Sequence, residues 1–243
     1  MLAVEGLTVR FRRHGAPPLT VLDGLSLVAP HGAVTGLCGA SGAGKSLIAA
    51  AIAGTLPRNA EVTGRMTVDG APPAPGRIAL APQGLDALDP LAPVGAQIER
   101  FARLAGRDVD APELLVRLGL AATVAQAWPH ELSGGMARRA CLATALATGA
   151  GWLIADEPTA GLDAEAADRI MGLLGTIAAD DYGVLVISHD LPRLAAVAAD
   201  ITVLQEGRAV ERARASAFRG EGETLVHPFA RRLWQAQDAP ATC

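Results

Sequence analysis

Eight consecutive residues, Gly39-Ala40-Ser41-Gly42-Ala43-Gly44-Lys45-Ser46, fit the pattern G-x-x-x-x-G-K-[ST]. Glycines at these places let the chain turn so tightly that successive backbone N–H groups face one point. The helix that follows aims the positive end of its dipole at the same point. Phosphate oxygens suit such a cradle. Gly39, Ser41, Gly42, Ala43, Gly44 and Leu47 would bind them through the backbone, Lys45 would reach the β- and γ-phosphates, and the Ser46 hydroxyl would bind Mg²⁺. The flanks are of the required kind. Residues 34–38 form a short apolar run bounded by glycine, which reads as a buried strand, and residues 47–53 are strong helix formers. The ligand implied is a nucleoside triphosphate.

Two further groups carry chemistry. Trp152-Leu153-Ile154-Ala155 is an apolar strand that ends in Asp156 and Glu157. Beside a phosphate loop, an acid closing the neighbouring strand holds Mg²⁺, which suits Asp156. A second carboxylate next to it polarises the attacking water, which suits Glu157. Without the phosphate loop the same pair would be an ordinary strand end. Leu132-Ser133-Gly134-Gly135-Met136 opens another helix with a serine and two glycines, a second ready-made anion site. Taken by itself it is a well-capped helix. If the two anion-binding ends lie far apart on one chain, a single nucleotide is completed only by two chains meeting head to tail.

The elements that must hold these residues follow from patterning. The chain has 243 residues, half of them apolar and 3% aromatic, which describes a helix-rich α/β protein with ample length for a core. Residues 7–12 alternate apolar with polar, 14–18 are turn-rich, 21–28 read as a second strand, and 62–69 alternate again before the Asp69-Gly70 turn. The N-terminal third is thus an antiparallel sheet beside the nucleotide-binding core. A short strand at 78–81 ends at Pro82-Gln83, and a polar, proline-rich loop at 86–93 leads into helices at 94–104, 112–118 and 135–148. Strands resume at 152–155, 184–188 and 201–204, with a helix at 164–179 between the first two. Apolar strands alternating with helices imply a mostly parallel sheet covered on both faces. The expected layout is an α/β nucleotide-binding core with an antiparallel β-subdomain (1–82 and 151–243), interrupted by an inserted helical subdomain (83–150).

Composition narrows the partners. The net charge is −4, and the short arginine groups (Arg10, Arg12, Arg13; Arg138, Arg139; Arg231, Arg232) read as solvated faces, so no nucleic acid is expected. Cys38, Cys141 and Cys243 are widely spaced with no C-x-x-C pair, which argues against a disulfide framework or zinc site and for a reducing compartment. The N-terminus carries no signal pattern, and the longest uncharged run, 140–155, is too short for a bilayer span and contains two glycines. The chain is therefore expected outside the membrane, where it can still sit against a membrane protein. His14, His31, His130 and His227 fall in turn or loop contexts with no metal-ligand spacing.

Residues 39–46, Gln83, 132–136, Asp156-Glu157, Gly161-Leu162-Asp163 and His189 together resemble, in order and over nearly the whole chain, the nucleotide-binding subunit of ATP-binding cassette transporters. The resemblance implies a P-loop NTPase core hydrolysing ATP with Mg²⁺. It makes Gln83 the loop glutamine that senses Mg²⁺ and the membrane partner. Ser133 and Gly135, with Gly134 between them, would contact the γ-phosphate held by the opposite subunit. Asp163 would lie in the loop coupling the two sites, and His189 would contact the γ-phosphate and the attacking water. Phe11 falls where the family stacks an aromatic ring on adenine, although its alternation with Val9 equally allows a core role.

A narrower resemblance is to the dipeptide, oligopeptide and nickel importers. It rests on Leu88-Asp89-Pro90-Leu91 with Val94-Gly95-Ala96-Gln97-Ile98, on Trp128-Pro129-His130-Glu131 ahead of the serine–glycine element, and on His227-Pro228-Phe229-Ala230-Arg231-Arg232-Leu233. The absence of the cysteine cluster that some peptide-importer ATPases carry leans toward nickel or metal-chelate uptake. Arg138-Arg139 departs from the group's usual Gln-Arg, and Ala33 from a common acid; neither is expected to carry the chemistry. The resemblance implies transmembrane permease subunits, a homodimer or a heterodimer with a paralogous ATPase, an extracytoplasmic substrate-binding protein, and a place at the cytoplasmic face of the inner membrane. The alternative is a non-transport cassette ATPase accessory to a cytosolic enzyme complex of the carbon–phosphorus lyase type. A DNA-repair or chromosome-maintenance ATPase would need a long coiled coil or a DNA-binding insertion, for which the motif spacing leaves no room.

Overall fold

In the computed structural model residues 1–84 and 87–237 are described; Asp86, at the head of the proline-rich loop, and Cys243 fall outside them. The first half of the chain forms β1 (Leu2–Arg13), β2 (Ala16–Ala29), β3 (Val34–Gly39), α1 (Lys45–Ala53), β4 (Ala60–Val68) and β5 (Ile78–Ala81). Three helices follow, α2 (Val94–Leu104), α3 (Ala111–Arg117) and α4 (Gly134–Ala147). The remainder is β6 (Trp152–Asp156), α5 (Ala164–Ala179), β7 (Gly183–Ile187), α6 (Leu191–Val197), β8 (Ala198–Gln205), β9 (Arg208–Arg214) and α7 (Pro228–Gln235).

Every residue of β3, β6 and β7 is buried, as strands covered on both faces must be. They sit inside a six-stranded sheet of order β5-β6-β7-β3-β8-β9, parallel except for β9, which runs antiparallel to β8 at the edge. The second sheet is antiparallel, of order β2-β1-β4. Strand alternation sorts the apolar residues into two cores. Leu2, Leu7 and Leu22 of the small sheet meet Leu37, Ile154, Leu185 and Ile187 of the large one, with Ile48 and Ile52 of α1 packed in the same core. On the other face Leu153, Val184 and Val186 meet Ile98, Leu115, Leu142 and Leu174 of the helices. No helix among the described residues is long and apolar enough to cross a membrane.

β2 departs from expectation. Residues 14–18 were expected to turn, but only His14-Gly15 does so, and the strand already includes Pro17-Pro18. It is an edge strand, where a residue without an N–H leaves no ladder bond unmade. The topology also aligns the chemistry. The carboxyl ends of the parallel neighbours β5, β6, β7 and β3 lead directly into Gln83, Glu157, His189 and the phosphate loop, so all four open at one edge of the sheet.

Candidate functional site

The phosphate loop is held by close approach. A Cβ on Gly39 would lie 2.4 Å from the Leu204 carbonyl oxygen of β8, and one on Gly44, at φ 93°, would lie 2.6 Å from Leu22 Cδ2 of β2. Gly44 is also the N-cap of α1 and provides no side-chain cap, which leaves the first helical N–H groups open to an anion. Lys45 is buried, and its ammonium donates to the carbonyls of Gly39 (2.8 Å) and Ala40 (3.1 Å), folded back across the loop. Cys38, just before the loop, is fully buried, and burial pushes its thiol pKa up to about 12 against the opposing charge of Lys45. It is a packing residue.

These groups face a cavity of about 660 Å³. Gly39, Ser41, Gly42, Gly44, Lys45, Ser46, Leu47, Gln83, Glu157 and His189 all line it. Glu157 is nearly buried and sits at φ 48°, an uncommon conformation for a side-chain-bearing residue. Its N–H donates to the Ile187 carbonyl at 2.8 Å, which fixes the turn against β7. Its Oε2 accepts from His189 Nδ1 at 2.8 Å, while the His189 ring stays largely exposed at the cavity. Carboxylate and imidazole are thus oriented by one another.

Asp156 is buried, and the Ser46 hydroxyl favours its ionised form. Burial raises its pKa; Ser46 opposes the shift, Glu157 adds to it, and Lys45 and Arg138 counter it. Its Oδ1 has no hydrogen-bond partner. A buried carboxylate with an open oxygen, next to Ser46 of the phosphate loop, fits a hard divalent cation that brings phosphate ligands of its own. No cluster of three or more His, Cys, Asp or Glu suited to a metal occurs among the described residues.

Other expected residues lie elsewhere. Ala43 is buried under the loop. Phe11 is half-buried on β1, opposite Leu19 and Ala60, packed against the core and not at the cavity wall. Ser133 caps α4, its Oγ accepting from Met136 N–H at 3.3 Å, and is exposed. Asp163 caps α5, accepting from Ala166 N–H at 2.8 Å. The two caps adjoin: a Cβ on Gly134 would lie 3.3 Å from the Leu162 side chain, and one on Gly135 3.5 Å from Ala166. None of Ser133, Gly134, Gly135 or Asp163 lines the cavity. His31 hydrogen-bonds Asp69 (2.8 Å) and His227 caps α7, both outside it.

One arginine group is corrected. Arg138 is not on a solvated face but 8% exposed, and Arg139 is half-buried, donating to the carbonyls of Gly135 (3.1 Å) and Gly119 (2.6 Å). Both belong to α4, where backbone carbonyls replace water around the guanidinium groups. Val21, Leu233 and Gln237 also line the cavity and were not anticipated. They arrive through the packing of β2 and of the last helix, which no local pattern announces.

Residues 22–160 match the family model described as ABC transporter. Over 229 residues the chain is 36% identical to the nickel import ATP-binding protein NikD of Brucella suis biovar 1, covering 87% of this chain and 86% of that protein. Over 240 residues it is 36% identical to the oligopeptide transport ATP-binding protein OppD of Mycobacterium bovis, covering 88% of this chain and 38% of that protein. Its fold matches, with a TM-score of 0.77 and 24% identity, that of a dimeric ATP-binding cassette in a post-hydrolysis state bound to ADP and phosphate, over 90% of this chain and all of that one.

Proposed function

Because the chain belongs to the ABC transporter family, we propose that it is the ATP-hydrolysing subunit of an importer that takes up nickel, a metal chelate or peptides through separate permease subunits. The observation that supports this reading best is a division of labour within the site. One cavity gathers the phosphate loop, Gln83, Glu157 and His189, while the exposed serine–glycine helix end does not line it. A nucleotide bound in that cavity lacks the contacts that Ser133 and Gly135 would give, and a second copy or a paralogous ATPase would complete it.

The residues have separable tasks in this reading. Backbone N–H groups of residues 39–47 bind the phosphates, and Lys45 exchanges its two carbonyl partners for phosphate oxygens. Ser46, Asp156 and Gln83 would hold Mg²⁺, which neutralises charge on the β- and γ-phosphates when bound. Glu157 orients the attacking water and takes its proton, and His189, held by Glu157, turns its exposed ring to the γ-phosphate. Val21, which lines the cavity where Phe11 does not, would face the base. Residues 83–150 act as the helical subdomain, and residues 1–82 and 151–243 as the core. Contacts made by Ser133 and Asp163 to a partner subunit exist only in the closed dimer, so ATP shifts the population toward closure by its differential affinity. Closure pulls on the permease near Gln83, at the cytoplasmic face of the inner membrane.

The relatives named for nickel and oligopeptide import favour an importer over an accessory to a soluble enzyme. A tagged Glu157→Gln chain separates the two. Its ATP turnover should fall by roughly 10²–10⁴-fold, and the ATP-trapped dimer should come out of detergent extracts with an integral membrane protein. Recovery of that trapped dimer with soluble enzymes alone would move the chain to the accessory class, and near-normal turnover would remove Glu157 from its role.

A further inference from the structure

Among the described residues one arginine is buried, Arg138. It belongs to α4, the helix that Ser133 caps, but its guanidinium does not stay with that helix. Nη1 donates to the carbonyl of Pro82 at 3.3 Å, and Nη2 donates to the carbonyl of Ala160 at 3.4 Å. Pro82 immediately precedes Gln83, whose side chain lines the nucleotide cavity. Ala160 lies on the turn between Glu157 and Asp163, and its own N–H donates to the Glu157 carbonyl at 3.2 Å. Arg138 lines a small crevice together with Ala81, Pro82, Cys141, Leu142 and Pro158.

A buried cation costs far more than an apolar side chain of similar length unless it is well bonded. Packing alone would be served by methionine or leucine. The bonds that hold Arg138 reach two backbone segments from a third, and each of the three carries a different part of the site. Burial lowers its pKa and so works against the charge, and Cys141, Asp156 and Glu157 oppose that only in part. The arrangement is therefore a tie between α4 and the turns that present Gln83 and Glu157.

We infer that Arg138 is a positioning residue that couples the two halves of the reaction. It fastens the Gln83 turn and the 157–163 turn to the helix bearing Ser133, so that docking of Ser133 on a nucleotide held by a partner subunit is transmitted to the water-orienting carboxylate and the glutamine. The inference rests on the proposed head-to-tail ATPase and adds to it the route by which one site reports to the other.

The test compares the full-length chain with Arg138→Met and Arg138→Gln, each checked for folding by thermal melt. Monomer ATP binding is measured without Mg²⁺, and kcat and KM with it. A tie predicts that Arg138→Met lowers kcat by roughly 3- to 30-fold while monomer binding and KM stay within about twofold. Arg138→Gln, which keeps donor N–H groups on a shorter stem, should fall between it and the wild type. Wild-type kcat in a folded Arg138→Met chain overturns the inference. So does a loss of monomer ATP binding in step with kcat, the pattern of general damage to packing. If Arg138→Met does not fold, Arg138→Gln decides by the same two criteria. A wild-type chain that hydrolyses no ATP at all fails the ATPase reading itself, an outcome distinct from a failure confined to the arginine variants.

Discussion

Asp156 shows at the level of one side chain how the site sets chemistry against stability. Its Oδ1 is buried without a partner, and burial raises its pKa from the ordinary aspartate value. A folded-state pKa above the unfolded one means that the folded chain binds extra protons between the two values. Stability therefore falls as pH rises through that window, and the full cost is present at neutral pH. In chelator-treated buffer at pH 7, Asp156→Asn should raise stability in a denaturant melt by about 1 kcal/mol. The same variant should lose the Mg²⁺-dependent part of the stabilisation that ATP gives the wild type. A variant less stable than the wild type in the metal-free melt would show that the carboxylate is satisfied in solution. Asp156 and Glu157 could be read from the sequence as the end of an apolar strand beside a phosphate loop, whereas His189 entered only through the family resemblance. Arg138 was not legible: a guanidinium beside another reads as surface, and only the packing of α4 against two turns reveals carbonyls in place of water.

At the scale of elements, the phosphate loop separates packing from ligand binding. A Cβ on Gly39 would strike the Leu204 carbonyl at 2.4 Å, and backbone in the middle of a sheet cannot step aside; a Cβ on Gly42 has nothing within 4 Å. Gly39→Ala should therefore cost about 1–3 kcal/mol in a denaturant melt. Gly42→Ala, at φ 77°, should cost about 1 kcal/mol from backbone strain and act mainly on ATP affinity. Equal losses of stability in the two would mean that β3 and β8 are not as tightly apposed as that distance implies. Periodicity located β5 and α2 as well as α5, whose apolar positions and end signals agree. It missed α6, β9 and α7 for identifiable reasons. α6 has seven residues, β9 exposes its arginines and pairs with one neighbour only, and α7 buries just Ala230 and Trp234. Elements that owe their existence to docking leave a weak local pattern.

At the scale of the molecule, the composite site is the claim that separates this chain from a self-sufficient ATPase. The serine–glycine end of α4 is exposed and does not line the cavity that holds the phosphate loop. Ser133→Arg tests what that end is for. The substitution removes the α4 cap, which costs about 1 kcal/mol, and places a cation at the positive end of a helix dipole. Against a typical stability of about 5–15 kcal/mol the chain still folds. ATP binding to the monomer should stay near wild type, because Lys45, Ser46 and the loop N–H groups are untouched. Turnover should be abolished, because the bulky side chain stands where a partner's γ-phosphate must approach. Combined with Glu157→Gln, the same change should also erase the ATP-dependent dimer in sedimentation. The two readouts divide the possibilities cleanly. Weakened binding in the monomer would mean that Ser133 serves the nucleotide of its own chain. Full turnover by a dilute monomer carrying Ser133→Arg would mean that the cavity needs no second molecule, and the reading of this chain as half of a paired motor would then be wrong.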